Sequence, residues 1–217
     1  MKSIVKSLAL LLWLSACQSL NFNDVNMVAP NSRLLPPLEA SVNRKALKDN
    51  FDTVKTEDGR AFVYDDNIQF LGATYQKDRR PRDVETVFLR NMDNIAQRYG
   101  EKKGKITMRI SNTRAYHSGY LYTVPSVLTL HIANLLGMPY VYDNMDIEIE
   151  VTITDNKGNP VRKYVETGHA ETPVAMYYGY STSNAPLLST IRATQDALRK
   201  INMQIANEFE AINKQLK

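Results

Sequence analysis

The residues equipped for chemistry are few and scattered. The chain of 217 residues holds three histidines, His117, His131 and His169, and one cysteine, Cys17. No two histidines have the His-Glu-x-x-His spacing or a comparable one, so a zinc hydrolase is not supported. One thiol can make neither an internal disulfide nor a multi-cysteine zinc site. His169-Ala170-Glu171 puts an imidazole and a carboxylate on one side of an extended chain. That pattern suits proton transfer or metal binding, and equally a surface pair at a strand end. His131 lies within an apolar stretch and is expected to be a satisfied core residue. Glu148 and Glu150 fall on the wet face of a hairpin, where no enclosed site is expected. The sequence has no Gly-x-Ser-x-Gly elbow, phosphate-cradling glycine loop or dinucleotide fingerprint, and Gly137-Met138-Pro139 reads as a helix stop. The expectation is a non-enzymatic protein with no cofactor and no metal site. The alternative is an envelope enzyme or small-ligand carrier with a site near His117 or His169.

Tyrosine is the residue type that stands out. Nine of the 12 tyrosines fall between residues 116 and 180. Tyr116, Tyr120 and Tyr122 flank Gly119, and Tyr177, Tyr178 and Tyr180 flank Gly179. A tyrosine ring is apolar and its tip polar, which suits a half-wet contact surface. If the two segments are adjacent, these six residues form a platform for an envelope protein, a glycan or peptidoglycan. Strands enrich tyrosine in any case, so the same residues could simply fill the rim of a small sheet.

The N-terminus reads as an address. Lys2 and Lys6 precede the apolar run Leu8 to Leu14, which is too short for a stable membrane-spanning helix and has the form of a secretory signal. Leu14-Ser15-Ala16-Cys17 resembles the lipobox of bacterial lipoproteins at each of its four positions. The resemblance implies cleavage before Cys17, diacylglycerol on its sulfur and acylation of the new amine, a stable multi-chain anchor. Gln18, where inner-membrane retention would imply Asp, favours the outer membrane. The chain also lacks the acidic run that follows the cysteine in surface-exported Bacteroidetes lipoproteins, so the periplasmic face is expected. Loss of the signal takes the 27 basic residues to 25 against 23 acidic ones. The apparent basic character fades, and nucleic acid is not an expected partner.

Three parts are expected: a signal over 1–16, a lipidated cysteine and flexible tether over 17–45, and a domain over 46–217. Asn and Pro are frequent from 18 to 43 with no regular period, and ~26 such residues would span roughly 25–30 Å on average and up to roughly 85 Å extended. Leu34-Leu35-Pro36-Pro37-Leu38 interrupts the tether and is expected to pack on its own domain, the alternative being a partner-recognition segment. Strands are expected over 51–55, 60–70 and 106–110, and a helix over 82–99 with Val84, Val87, Phe88, Met92, Ile95 and Tyr99 on one face. The almost wholly apolar run 124–136 reads as a short buried helix, or a strand around Val127 to Leu130. Ile147, Ile149, Val151 and Ile153 alternate with polar residues, Asp155 to Asn159 turns, and Val161 to Thr167 returns as a hairpin. A long helix over 185–214 closes the chain, docked on the sheet with a frayed end. The order predicts an α+β fold with a single small antiparallel or mixed sheet, helices mainly on one face, and a long C-terminal amphipathic helix.

A lipobox, a polar tether, a small α+β domain with an Asp-x-x-Gly turn (Asp155 to Gly158) and a closing amphipathic helix together resemble periplasmic accessory lipoproteins, such as the penicillin-binding-protein activators and the curli-secretion lipoprotein. The resemblance is architectural and carries no diagnostic motif of either family. The lipobox, Gln18, the tether and the tyrosines together give the expectation of an outer-membrane lipoprotein facing the periplasm, anchored in the membrane by lipid, that binds or scaffolds an envelope partner.

Overall fold

A computed structural model describes residues 33–52, 79–119, 123–135, 138–175 and 185–216. Its elements are β1 (Glu39–Val42), α1 (Arg44–Asp52), α2 (Arg79–Ile95), β2 (Gly104–Ser118), α3 (Thr123–Leu128), α4 (Ile132–Leu135), β3 (Val141–Asp155), β4 (Pro160–Val174), α5 (Ala185–Asn207) and α6 (Phe209–Gln215). Four strands form one sheet in the order β1-β2-β3-β4. β1 runs parallel to β2, and the other pairs are antiparallel. The class is the α+β arrangement expected.

Alternation decides which face is buried. Met145, Ile147, Ile149, Val151 and Ile153 of β3 point inward beside Ile106, Met108 and Ile110 of β2, all at most 1% exposed. Helices α1, α2, α5 and α6 contribute Leu47, Phe51, Val84, Phe88, Leu198, Ile201, Ile205 and Ile212 to the same core. α5 lies against β4 and β3. Its approach is closest at Gly168, where an added Cβ would fall 1.8 Å from the Ala193 carbonyl oxygen and 2.6 Å from the Ala197 nitrogen. Between α5 and α2, Asn91 and Asn202 are buried and exchange amide hydrogen bonds of 3.1 and 2.9 Å.

Several boundaries differ from expectation. The stretch assigned to the tether is already folded from Leu35, which pairs with Ala96 and is fully buried. Leu38 is buried too, so Leu34-Leu35-Pro36-Pro37-Leu38 packs on its own domain. Phe51, expected in a strand, lies in α1, because Asn43 accepts the Ala46 amide at 3.0 Å and starts a helix whose Leu47 and Phe51 face the core. Residues 53–78, including the strand expected over 60–70, lie outside the described residues. α2 stops at Ile95, and Tyr99 is exposed rather than part of the stripe. The last helix breaks at Glu208, which accepts Arg162 Nε at 2.7 Å and lies 3.4 Å from the Tyr164 hydroxyl. Burial first, then Glu208, pushes the Tyr164 phenol up to about 12. Beyond the break the end does not fray: Ile212 and Leu216 are both buried.

Gly168→Ala is expected to cost about 3 kcal/mol or more in urea denaturation, because backbone cannot yield to a methyl group as a flexible side chain would. Gly158→Ala, with φ of +83° and no atom within 4 Å of its added Cβ, should cost only about 1–2 kcal/mol of backbone strain. Equal losses at the two sites would contradict the close contact.

Candidate functional site

The inward face of the sheet is apolar until its far end, where Asp143 takes the position two residues before Met145. Asp143 is 2% exposed. The Ser189 hydroxyl of α5 donates to its Oδ2 at 2.5 Å, and His117 Nε2 of β2 lies 3.5 Å from its Oδ1. Thr172 sits opposite it on β4, with a fully buried hydroxyl that has no hydrogen-bond partner. Arg80, buried at the start of α2 and 5.6 Å from the centre of the Phe51 ring, adds positive charge nearby. Burial pushes the Asp143 carboxyl above the ordinary range, against the opposite pull of Ser189, His117 and Arg80. The serine proton is thus held by a carboxylate rather than handed to an imidazole. This chemistry ties β2, β3 and α5 together at one end of the sheet.

Beyond the same end, α3 and α4 form a helical hairpin with its polarity reversed. Ser126 and Asn134 are buried and bonded to each other, and the Ser126 hydroxyl is 2.9 Å from His131 Nδ1. The Asn134 amide reaches the Met138 carbonyl at 3.0 Å, and the His131 N–H donates to the Ser126 carbonyl at 2.7 Å. Leu130 and His131 take φ of +49° and +65° at the turn, a conformation costly for branched or ring side chains. Around this polar centre Val124, Val127, Leu128, Leu130, Ile132 and Leu135 are all exposed, Leu128 at 78% and Leu130 at 82%. The run expected to be a buried helix is therefore two short helices with apolar side chains outward, and His131 is exposed rather than a core residue. The expectation failed because apolar content was equated with burial, while the polar residues took the interior.

The other candidate residues divide. Tyr116 lies on the opposite face of β2, which no helix among the described residues covers, and is partly buried, with the Arg114 guanidinium 5.1 Å from its ring centre. Burial first, then Asp146 and Glu171 against the pull of Arg114, raises its phenol. His169 is on that same open face, its Nδ1 2.7 Å from Asp146 Oδ1. His117 points to the core side, so the sheet separates the two histidines and no single site uses both. Glu171 is exposed on the side of His169. Cys17, Tyr120, Tyr122, Tyr177, Tyr178 and Tyr180 lie outside the described residues. Among the described residues, no group of three or more acid, histidine or cysteine side chains could hold a metal ion. Sequence reasoning missed Asp143 and Ser189. The available signal was Asp143 itself, a charge on the parity of Met145 and Ile147.

No family model matches the chain, and no curated protein matches it. A crystal structure of a protein from Caulobacter crescentus CB15, provisionally described as a lipoprotein, is similar at 13% identity and a TM-score of 0.40, over 77% of this chain and 98% of that one. A likeness at that level bears on neither fold assignment nor function.

Asp143→Asn tests the buried cluster by its pH dependence. The raised carboxyl favours the folded state fully at pH below its unfolded value, and that contribution is lost as pH rises through the folded value. Relative to the parent chain, Asp143→Asn should therefore gain stability from acid towards neutral pH, with His117, Arg80 and Ser189 unchanged. A stability difference that is flat, or that falls with pH, would contradict the assignment.

Proposed function

We propose that the chain is a lipid-anchored outer-membrane protein facing the periplasm, with a non-enzymatic role in binding or scaffolding an envelope protein or peptidoglycan. The anchor rests on Leu14-Ser15-Ala16-Cys17. The observation that carries the binding reading is the face of the sheet that no helix among the described residues covers. Three 15-residue strands present Arg109, Arg114, Tyr116, Glu148, Lys163 and His169 there. These groups are part of a cross-strand lattice: Lys163 meets Glu150 at 3.0 Å, and His169 meets Asp146. Such a face suits a polar partner, and its mixed signs suit neither nucleic acid nor a uniformly charged polymer. Residues 18–32 join it to the membrane side.

A second reading, a small-ligand or catalytic site around His117, is favoured by one observation, the unpartnered buried hydroxyl of Thr172 beside Asp143. His117→Ala separates the two. Under the binding reading the variant keeps its envelope phenotype, and under the second it loses it while still folded.

Cys17→Ser should abolish fatty-acid labelling and leave the signal uncleaved, visible as slower mobility on a gel. Labelling retained in the variant would overturn the anchor. In intact envelopes, crosslinking from Arg109→Cys or Lys163→Cys should capture a defined protein or peptidoglycan fragment. Capture unaffected when the reactive group is moved to the opposite, helix-covered side would overturn the role of this face.

A further inference from the structure

The helical hairpin of α3 and α4 points to a specific occupant: we propose that it inserts into the interfacial zone of a lipid bilayer. Leu128 and Leu130 stand out at 78% and 82% exposure, and Val124, Val127, Ile132 and Leu135 surround them. Six exposed large apolar side chains within twelve residues are far from a soluble surface's usual scatter.

Three observations favour lipid over protein as the occupant. First, the sequence between Arg114 and Asp143 contains no Asp, Glu, Lys or Arg, so the described hairpin has no carboxylate, ammonium or guanidinium to dehydrate on entering the headgroup and acyl boundary, and its exposed His131 has to stay at the headgroup level. A protein interface would commonly include a polar rim with charged or hydrogen-bonding side chains. Second, the hairpin meets its own hydrogen-bonding needs. Thr129 N–H donates to the Pro125 carbonyl, Leu130 to Val127, Ile132 to Thr129, and both Asn134 and Leu135 to His131. Ser126 and Asn134 are folded into the interior, and the exposed Thr129 and His131 are bonded back to the hairpin through the Pro125 carbonyl and the Ser126 hydroxyl. A bilayer imposes that internal satisfaction, because it offers no partners. Third, the chain outside the structure can bring this end to the membrane. The chain enters the domain at Arg33 to Leu38, which lie by the Gly104 end of β2, and the hairpin follows its Ser118 end. The 15 residues of β2 span roughly 45–50 Å. The 15 residues from Gln18 to Ser32 reach about 50 Å if extended, so the hairpin can touch the leaflet that holds the acyl chains. The domain would then be held at both ends.

No helix among the described residues is long and apolar enough to cross a membrane, and the hairpin would lie in the interface without spanning it.

Only the location of the bilayer rests on the lipid-anchor reading, and the test removes the lipid. The mature chain from Gln18, without signal or Cys17, is mixed with neutral phosphatidylcholine vesicles at low and high salt, and binding is read by co-sedimentation. Binding that is insensitive to salt is expected. Leu128→Asp with Leu130→Asp should weaken it on the order of 100-fold, and Leu128→Phe with Leu130→Phe should retain it. Both side chains are already exposed, so the unfolding midpoint should not move, which keeps a loss of binding interpretable. No binding to neutral vesicles, binding only to phosphatidylglycerol vesicles at low salt, or binding unchanged in the aspartate variant would overturn the proposal. So would a dimer of the parent chain that the aspartate variant dissolves, which would make a second copy the occupant. Fatty-acid labelling of Cys17 is read separately, so failure of the anchor and failure of the hairpin give different results.

Discussion

The contact between the α5 backbone and Gly168 sets the spacing of helix and sheet, and much else follows from that spacing. With no Cβ at 168, and only alanines at 193 and 197, the helix settles directly on β4. That closeness lets Leu198, Ile201 and Ile205 reach the isoleucines of β3, and aligns Asn202 with Asn91 of α2. It also carries the start of α5 to the end of the sheet, where Ser189 meets Asp143. One turn of the helix is then tied to β4 by hydrogen bonds, with Lys200 Nζ donating to the Thr167 carbonyl at 2.6 Å. Asp196 accepts the His169 amide at 3.2 Å and pairs with Lys200 and Arg199. Burial raises the Asp196 carboxyl, yet these partners together hold it below the ordinary range.

The two ends of the sheet differ in kind. Around Gly104 the surface carries opposite charges in pairs, including Arg33 with Glu210 and Lys103 with Glu101, and the polypeptide enters there. Such exposed pairs contribute little energy but keep that end hydrated. At the Ser118 end charge disappears from the sequence on both sides of the hairpin, and resumes only at Asp143. That carboxylate is buried, and Ser189 and His117, which meet it, belong to the same domain. If the hairpin inserts as proposed, this end of the domain faces the bilayer.

Where one face was uniformly apolar, the fold was legible in the sequence. Isoleucine at 147, 149 and 153 with glutamate at 148 and 150 specifies a half-buried strand, and the turn at Asp155 follows from its own side chain, which accepts the Lys157 and Asn159 amides at 2.8 Å. The strands extend further than the pattern did, because Asp143 and Gly168 occupy inward positions without looking apolar. In β2 the register shifts between Ile110 and Asn112, so Thr113 and Ala115 face inward and the alternation breaks in the middle of a continuous strand. The helical hairpin departs from the expected buried helix for a different reason. Composition records how apolar a segment is, and only packing decides whether Leu128 or Ser126 takes the interior. Of the candidate site, His117 and His169 were visible as residue types. Their placement on opposite faces depends on that same register shift.

Whether the hairpin end of the domain meets lipid is measured most directly by the depth of a spin label at Leu128→Cys. The label is read in the lipid-anchored protein on vesicles, where Cys17 is occupied by its lipid and offers no competing thiol. The same label at Lys157→Cys, in the turn at the other end of the sheet, provides the reference. A hairpin seated in the bilayer makes the label at 128 accessible to oxygen and shields it from a water-soluble nickel chelate, while the label at 157 shows the reverse. Equal access of the chelate to both positions would contradict that seating.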